Sequence, residues 1–174
     1  GAVAMSGCAP KDDGKQAELS ATGSDQSEAP VPDETLEFDI AVVGAGCSGL
    51  AACVQAAESG ASVICIEAKS IAGGAAGGVE GLFAVNSPKQ AELGIESPRK
   101  IDIIANEFQF NNFRITYDYW SNYIDGSGES IAWLLDLGVV IERVESMFGS
   151  PEVFHYGEGG HCEQMIETLI AATD

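Results

Sequence analysis

The sequence predicts an α/β fold, and three observations carry that prediction. A short β-rich run, Phe38–Val43, ends at Gly44; residues 45–59 follow at helical spacing through Leu50, Val54 and Ala57 and stop at Gly60; and a second β-rich run, Ala61–Ile66, comes directly after. Strand, helix and strand in that order make the βαβ unit of a parallel sheet. The chain has 174 residues, 45% of them hydrophobic and 20% charged, a balance able to bury a core.

Each element has a local reason. Gly1–Cys8 reads GAVAMSGC, small and apolar up to a cysteine, like the end of an export signal. Cys8 is similar to the acceptor of a bacterial lipobox, with Met5 where that pattern prefers Leu; the other reading is an ordinary cysteine near a terminus. Residues 9–37 hold eight acidic residues and two lysines with almost no large apolar side chain. Such a segment cannot bury a core, so residues 1–37 are expected to be a signal remnant and a disordered acidic tether. Lipidation of Cys8 would anchor the chain at the cell envelope, a single acyl chain giving limited strength; without it the chain stays cytoplasmic.

With 8 Lys+Arg against 27 Asp+Glu the net charge is -19, which repels nucleic acid and anionic lipid headgroups. Five cysteines without a CxxC pair indicate neither a zinc site nor a disulfide framework. Of these, Cys53 and Cys65 are expected to be small core residues.

The run Phe38–Ala57 is apolar enough to suggest a membrane span, broken only by Asp39 and Gln55, but its pattern is a strand, a turn and a helix. The turn reads Gly44-Ala45-Gly46-Cys47-Ser48-Gly49, a GxGxxG, with Glu67 twenty-three residues after Gly44 at the end of the second strand. Gly44 permits the tight turn, Gly46 lets the backbone approach a pyrophosphate, and Gly49 lets helix and strand pack closely. The helix N-terminus offers N–H groups to phosphates, and Glu67 would accept hydrogen bonds from the ribose hydroxyls of a dinucleotide. A carboxylate there disfavours the 2′-phosphate of NADP.

Together with the glycine pairs Gly73-Gly74 and Gly77-Gly78, the stretch from Asp39 to Gly78 resembles the N-terminal flavin-binding unit of the fumarate reductase/succinate dehydrogenase flavoprotein superfamily, particularly its soluble, exported branch. The resemblance covers about Phe38 to the end of the chain. It implies FAD wrapped by the glycine loop; read without the family, that loop is equally a flexible linker. It further implies non-covalent binding, because no histidine lies between Glu67 and Asn86. Family members usually carry Asn and Ser or Thr after the first glycine pair; here Ala75 and Ala76 supply no side-chain hydrogen bonds. The candidate cofactor-binding set is Gly44, Ala45, Gly46, Cys47, Ser48, Gly49, Glu67, Ala68, Lys69, Gly73, Gly74, Ala75, Gly77 and Gly78.

Ser87-Pro88-Lys89-Gln90 carries an N-cap, a proline at N1 and a Gln at N3, predicting a short helix ending near Gly94. Helices follow over about 99–111 and 115–137, the second with Trp120, Tyr123, Ile124, Ile131, Trp133, Leu134 and Leu137 as core candidates and Asp125–Gly128 as a place to kink. A short strand is expected over Val139–Ile141. Phe154–His161 reads as a glycine-rich loop ahead of a helix over Cys162–Ala172. By resemblance His155 and the glycines border the flavin or substrate; the other reading is a surface turn with two solvated histidines.

The expectation is therefore a Rossmann-like FAD-binding domain with a helical insertion over residues 38–174, incomplete at its C-terminus. The resemblance implies an oxidoreductase passing a hydride to or from an unsaturated carboxylic acid, with its catalytic residues beyond Asp174. Two other classes remain: a non-catalytic dinucleotide-binding fragment and an NAD-linked dehydrogenase.

Overall fold

A computed structural model describes residues 34–146 and 149–173. Cys8 and the acidic segment up to Asp33, with the expectations attached to them, lie outside these residues. By its contacts the chain divides between Leu36 and Glu37, and the fold below is that of the unit from Glu37 onward.

The predicted βαβ unit is present. Strand β1 (Ile40–Val43) pairs in parallel with β2 (Val63–Ile66) in the register Ile40↔Val63 to Val43↔Ile66, and helix α1 (Cys47–Glu58) connects them. A side chain fixes that register. The Asp39 carboxylate accepts hydrogen bonds from the Ser62 N–H at 2.8 Å and its hydroxyl at 2.7 Å, so the two strands start level. These bonds, the hydroxyl's first, hold the Asp39 carboxyl below its ordinary pKa. Helix α1 ends on Ser59 and Gly60, where φ is +87°.

A second sheet was not foreseen. Strands β3 (Leu82–Phe83), β4 (Arg143–Ser146) and β5 (Val153–Tyr156) form an antiparallel sheet in the order β3-β5-β4. Between β3 and β4 lies the helical insertion: α2 (Pro88–Leu93), α3 (Lys100–Phe110) and α4 (Tyr117–Asp136). Helix α2 has the predicted reciprocal cap between Ser87 and Gln90, and it closes on Gly94 in the left-handed region. Helix α5 (Glu163–Ala171) packs against α1.

The main core gathers Leu50 and Val54 of α1, Ile131 and Leu134 of α4, Val144 and Val153 of the antiparallel sheet, and Met165, Ile166 and Leu169 of α5. A smaller cluster joins Ile103 and Ile104 of α3 to Ile124 of α4. No helix among the described residues is long and apolar enough to cross a membrane.

Four expectations are corrected. Val139 and Ile141 are buried as core residues but form no strand: the Val140 N–H donates to the Gln164 side chain, and pairing with β5 begins only at the Glu142 N–H. Asp125–Gly128 leaves α4 unbroken, because Gly128 is the point where the helix meets another chain segment: a Cβ there would lie 2.7 Å from the Val85 carbonyl oxygen. Cys53 is buried, but Cys65 is exposed, as are Val43 and Ile66, since among the described residues α1 is the element packed on this two-stranded sheet. Tyr123 is exposed too, stacked on Phe83 and Tyr119.

Candidate dinucleotide site

The local chemistry of the turn after β1 starts with Gly44, whose φ of +100° belongs to the region that L side chains avoid. Gly49 is needed for a different reason: a Cβ on it would stand 1.8 Å from the Gly44 carbonyl oxygen, so helix and turn touch backbone to backbone. At Gly46 a Cβ would meet nothing within 4 Å, which leaves open space over the helix start. No side chain caps α1 and its first turn holds no acidic residue. The N–H groups of Ser48 and Gly49 make no hydrogen bond among the described residues, while the Cys47 N–H faces the Gly73 carbonyl across the Gly46–Gly73 bridge. Two unpaired donors at the positive end of a helix dipole suit an anion.

Glu67 closes one side. Its Oε2 accepts the Ala45 N–H at 2.7 Å and its Oε1 the Lys69 N–H at 2.9 Å. The bond from Lys69, then that from Ala45, holds this carboxyl below the usual range, so it is ionised at neutral pH. Each oxygen keeps a second lone pair that a ribose hydroxyl can use. Ala68 and Lys69 are exposed beside it.

The first pair of the downstream glycines folds back onto the turn. Gly73 donates its N–H to the Ala45 carbonyl at 2.6 Å and pairs with Gly46 as an isolated parallel bridge, and a Cβ on Gly74 would come 3.4 Å from the Gly46 Cα. Both have positive φ, +105° and +58°. The Gly74 and Ala75 N–H groups make no hydrogen bond among the described residues, so the loop offers backbone donors where the side chains of Ala75 and Ala76 offer none. Residues 76–78, including Gly77 and Gly78, then form one 3-10 turn. Sequence reasoning missed what pins this loop: the Cys162 N–H donates to the Val79 carbonyl at 3.1 Å, and Ile166 of α5 lies against Gly73. Cys47 and Cys162 belong to one core cluster, and burial pushes both thiols up, so neither is a ready thiolate.

His155 matches neither sequence expectation. It lies on β5 with 0% exposure, its Nε2 2.6 Å from the Ser87 hydroxyl and its Nδ1 3.2 Å from the Leu82 carbonyl, so both ring nitrogens are engaged inside the protein. Burial pushes its pKa below the ordinary value, with the Leu82 carbonyl opposing. His161 is exposed.

A parallel βαβ unit whose glycine turn, acidic strand end and second glycine loop converge defines a dinucleotide-binding α/β protein. Residues 39–155 match the family model described as FAD dependent oxidoreductase, and the chain belongs to that family. It is 36% identical over 122 residues to a vinyl phenol reductase of Lactiplantibacillus plantarum, covering 70% of this chain and 24% of that protein. It is also 36% identical over 112 residues to a KsdD-like steroid dehydrogenase of Mycolicibacterium smegmatis, covering 59% of this chain and 20% of the relative. Among solved structures, the open conformation of a flavocytochrome c3 fumarate reductase superposes with a TM-score of 0.65 at 25% identity, covering 78% of this chain and 24% of that one. The fumarate-reductase-like resemblance read from Asp39 to Gly78 is thus supported. The chain spans about a quarter or less of the length of these proteins.

Proposed function

We propose that this chain is the FAD-holding part of an oxidoreductase that moves a hydride to or from an activated carbon–carbon bond of an unsaturated small molecule, with FAD bound non-covalently. The observation that carries this reading is the meeting of the two glycine loops, Gly73 bonded to Ala45 and bridged to Gly46, directly over an uncapped helix start. The residues fit the cofactor: open space stands over Gly44 and Gly46, free backbone donors line the turn, and an ionised carboxylate stands at the strand end.

In this reading the N–H groups of Ser48 and Gly49 hold the diphosphate, Glu67 orients the adenosine ribose, and the backbone of Gly74 and Ala75 faces the remainder of the cofactor. The isoalloxazine supplies the hydride chemistry when bound. The part of these residues is binding and orientation. The sequence resemblance favours an unsaturated carboxylic acid as substrate, while the relatives' names extend the range to a vinyl phenol and to steroids.

Titration of the purified chain with FAD, followed by the flavin's visible bands and by separation of bound from free, tests this reading. Uptake is expected, and heat should release intact FAD. Glu67→Gln, which keeps the shape and loses the charge, should weaken FAD by about tenfold. The Glu67 carboxyl has a depressed native pKa, so its contribution is complete above the ordinary carboxylate range and is lost as pH falls through the lowered value. Failure to take up FAD, or uptake of NAD in its place, would overturn the proposal.

A further inference from the structure

A cavity of about 580 Å³ is lined by residues of β3, α4 and β5, and no residue of the candidate cofactor set lines it. It begins where the glycine loop ends: Val79, the residue after Gly78, and Gly81 form part of its wall. Its size is that of a site for a compact organic molecule.

The wall is aromatic on one side. Phe83 stacks on Tyr123, ring centroids 5.3 Å apart at 24°, and meets Phe154 edge to face at 6.1 Å. Ile131 and Leu134 of α4 supply the apolar floor. Such a surface is matched by a flat ring, which stacks or packs edge-on against it. Among the described residues no Lys, Arg, His, Asp or Glu lines the cavity. A carboxylate there would find no counter-charge among the described residues, in a chain of net charge -19.

The polar groups are few and not equivalent. Ser127 is already committed, its hydroxyl donating to the Ile124 carbonyl at 2.7 Å and accepting the Val85 N–H at 3.1 Å. Ser130 donates to the Gly126 carbonyl. Asn122 is exposed at the rim and carries both donors and an acceptor. It is suited to a single hydroxyl or keto oxygen.

We infer that this cavity binds the planar, uncharged ring of the substrate, an aromatic or fused-ring phenol or enone whose one polar oxygen meets Asn122, and that a dicarboxylate does not enter it. The inference rests on the flavin reading for its place beside the cofactor, and its test is chosen to fail separately. Gly126 offers a way in: it lines the cavity from exposed helix surface, and a Cβ on it would meet nothing within 4 Å, so Gly126→Leu fills the space without displacing core.

The experiment is ligand-observed NMR on the full chain, with and without FAD, using 2-naphthol and fumarate as probes. Saturation transfer to 2-naphthol and none to fumarate is expected. Gly126→Leu and, independently, Asn122→Ala should each weaken 2-naphthol by about tenfold while FAD uptake and the circular dichroism spectrum stay unchanged. Fumarate binding in place of 2-naphthol, or 2-naphthol binding indifferent to both variants, would overturn the inference. Intact FAD uptake with no 2-naphthol binding would sink this inference and leave the flavin reading standing; 2-naphthol binding without FAD uptake would do the reverse.

Discussion

Two glycine-rich regions of this chain have nearly the same composition and opposite roles. In Gly44–Gly49 with Gly73–Gly78, the N–H groups of Ser48, Gly49, Gly74 and Ala75 stay unpaired among the described residues, and the space over Gly44, Gly46 and Gly78 is open. In Gly157–Gly160 the contacts are with the protein itself, with Gly159 alone of its glycines opening to free space. A Cβ on Gly157 would strike the His161 carbonyl oxygen at 2.3 Å, the Gly159 N–H donates to Glu142, and Gly160 lies against the Arg143 guanidinium, which itself covers the Tyr156 ring at 4.1 Å. Glycine content thus marks where backbone comes close to something, and the hydrogen-bond pairing of that backbone tells whether the something is a ligand or the protein.

The largest effects should come from the backbone contacts within each region. Gly49→Ala and Gly157→Ala both place a methyl group against a carbonyl oxygen, and each should cost about 3 kcal/mol in urea unfolding. Their effects on FAD should diverge. Measured at low temperature, where circular dichroism shows both variants folded, Gly49→Ala should lose FAD affinity and Gly157→Ala should retain it. Equal loss in both would break the contrast and return the second loop to the cofactor.

The next effect concerns His155, at the entrance to the second region. Ser87→Ala removes a 2.6 Å contact to the buried ring and the cap of α2 together, and should cost about 2 kcal/mol. The pH dependence has a defined sign. Because burial depresses the native pKa of His155, the unfolded chain takes up the proton more readily, and stability falls as pH drops below the ordinary histidine value of about 6.5. Urea midpoints across this range should show the fall in the parent protein and a smaller one in His155→Gln. Identical profiles would mean that the ring charges freely in the folded state, as a loop facing solvent or ligand would allow.

The first region was legible in the sequence because its signals are local. Gly44, Gly46, Gly49, Gly60 and Glu67 each mark a backbone event within a few residues of themselves, and the Ser87–Gln90 cap likewise announces α2. The second region was not, because its order comes from distant pairing. Strands β3 and β5 are two and four residues long, and their partners are about seventy positions apart, Leu82 opposite His155. No periodicity develops over such lengths, and a histidine on a buried strand reads as a polar loop until Ser87 is seen to be its partner. Tyr123 and Cys65 were misplaced for a related reason: helical and strand spacing assign a face, but what covers that face is a tertiary fact.

The smallest predicted effect separates glycines within one helix. Gly126 and Gly128 stand two residues apart on α4, and the sequence treats them alike as places to bend. Gly128 is buried against the Val85 and Asn86 carbonyls, at 2.7 and 2.9 Å from a would-be Cβ, whereas Gly126 faces open space. Gly126→Ala should therefore raise stability by about 0.5–1 kcal/mol, the ordinary gain from replacing a free helical glycine, and Gly128→Ala should lower it. A rise of the thermal midpoint in the first and a fall in the second would show that α4 needs a glycine only where another backbone touches it. A fall in both would mean that the helix uses Gly126 to bend after all, and that the aromatic wall built by Tyr123 one turn earlier depends on that bend.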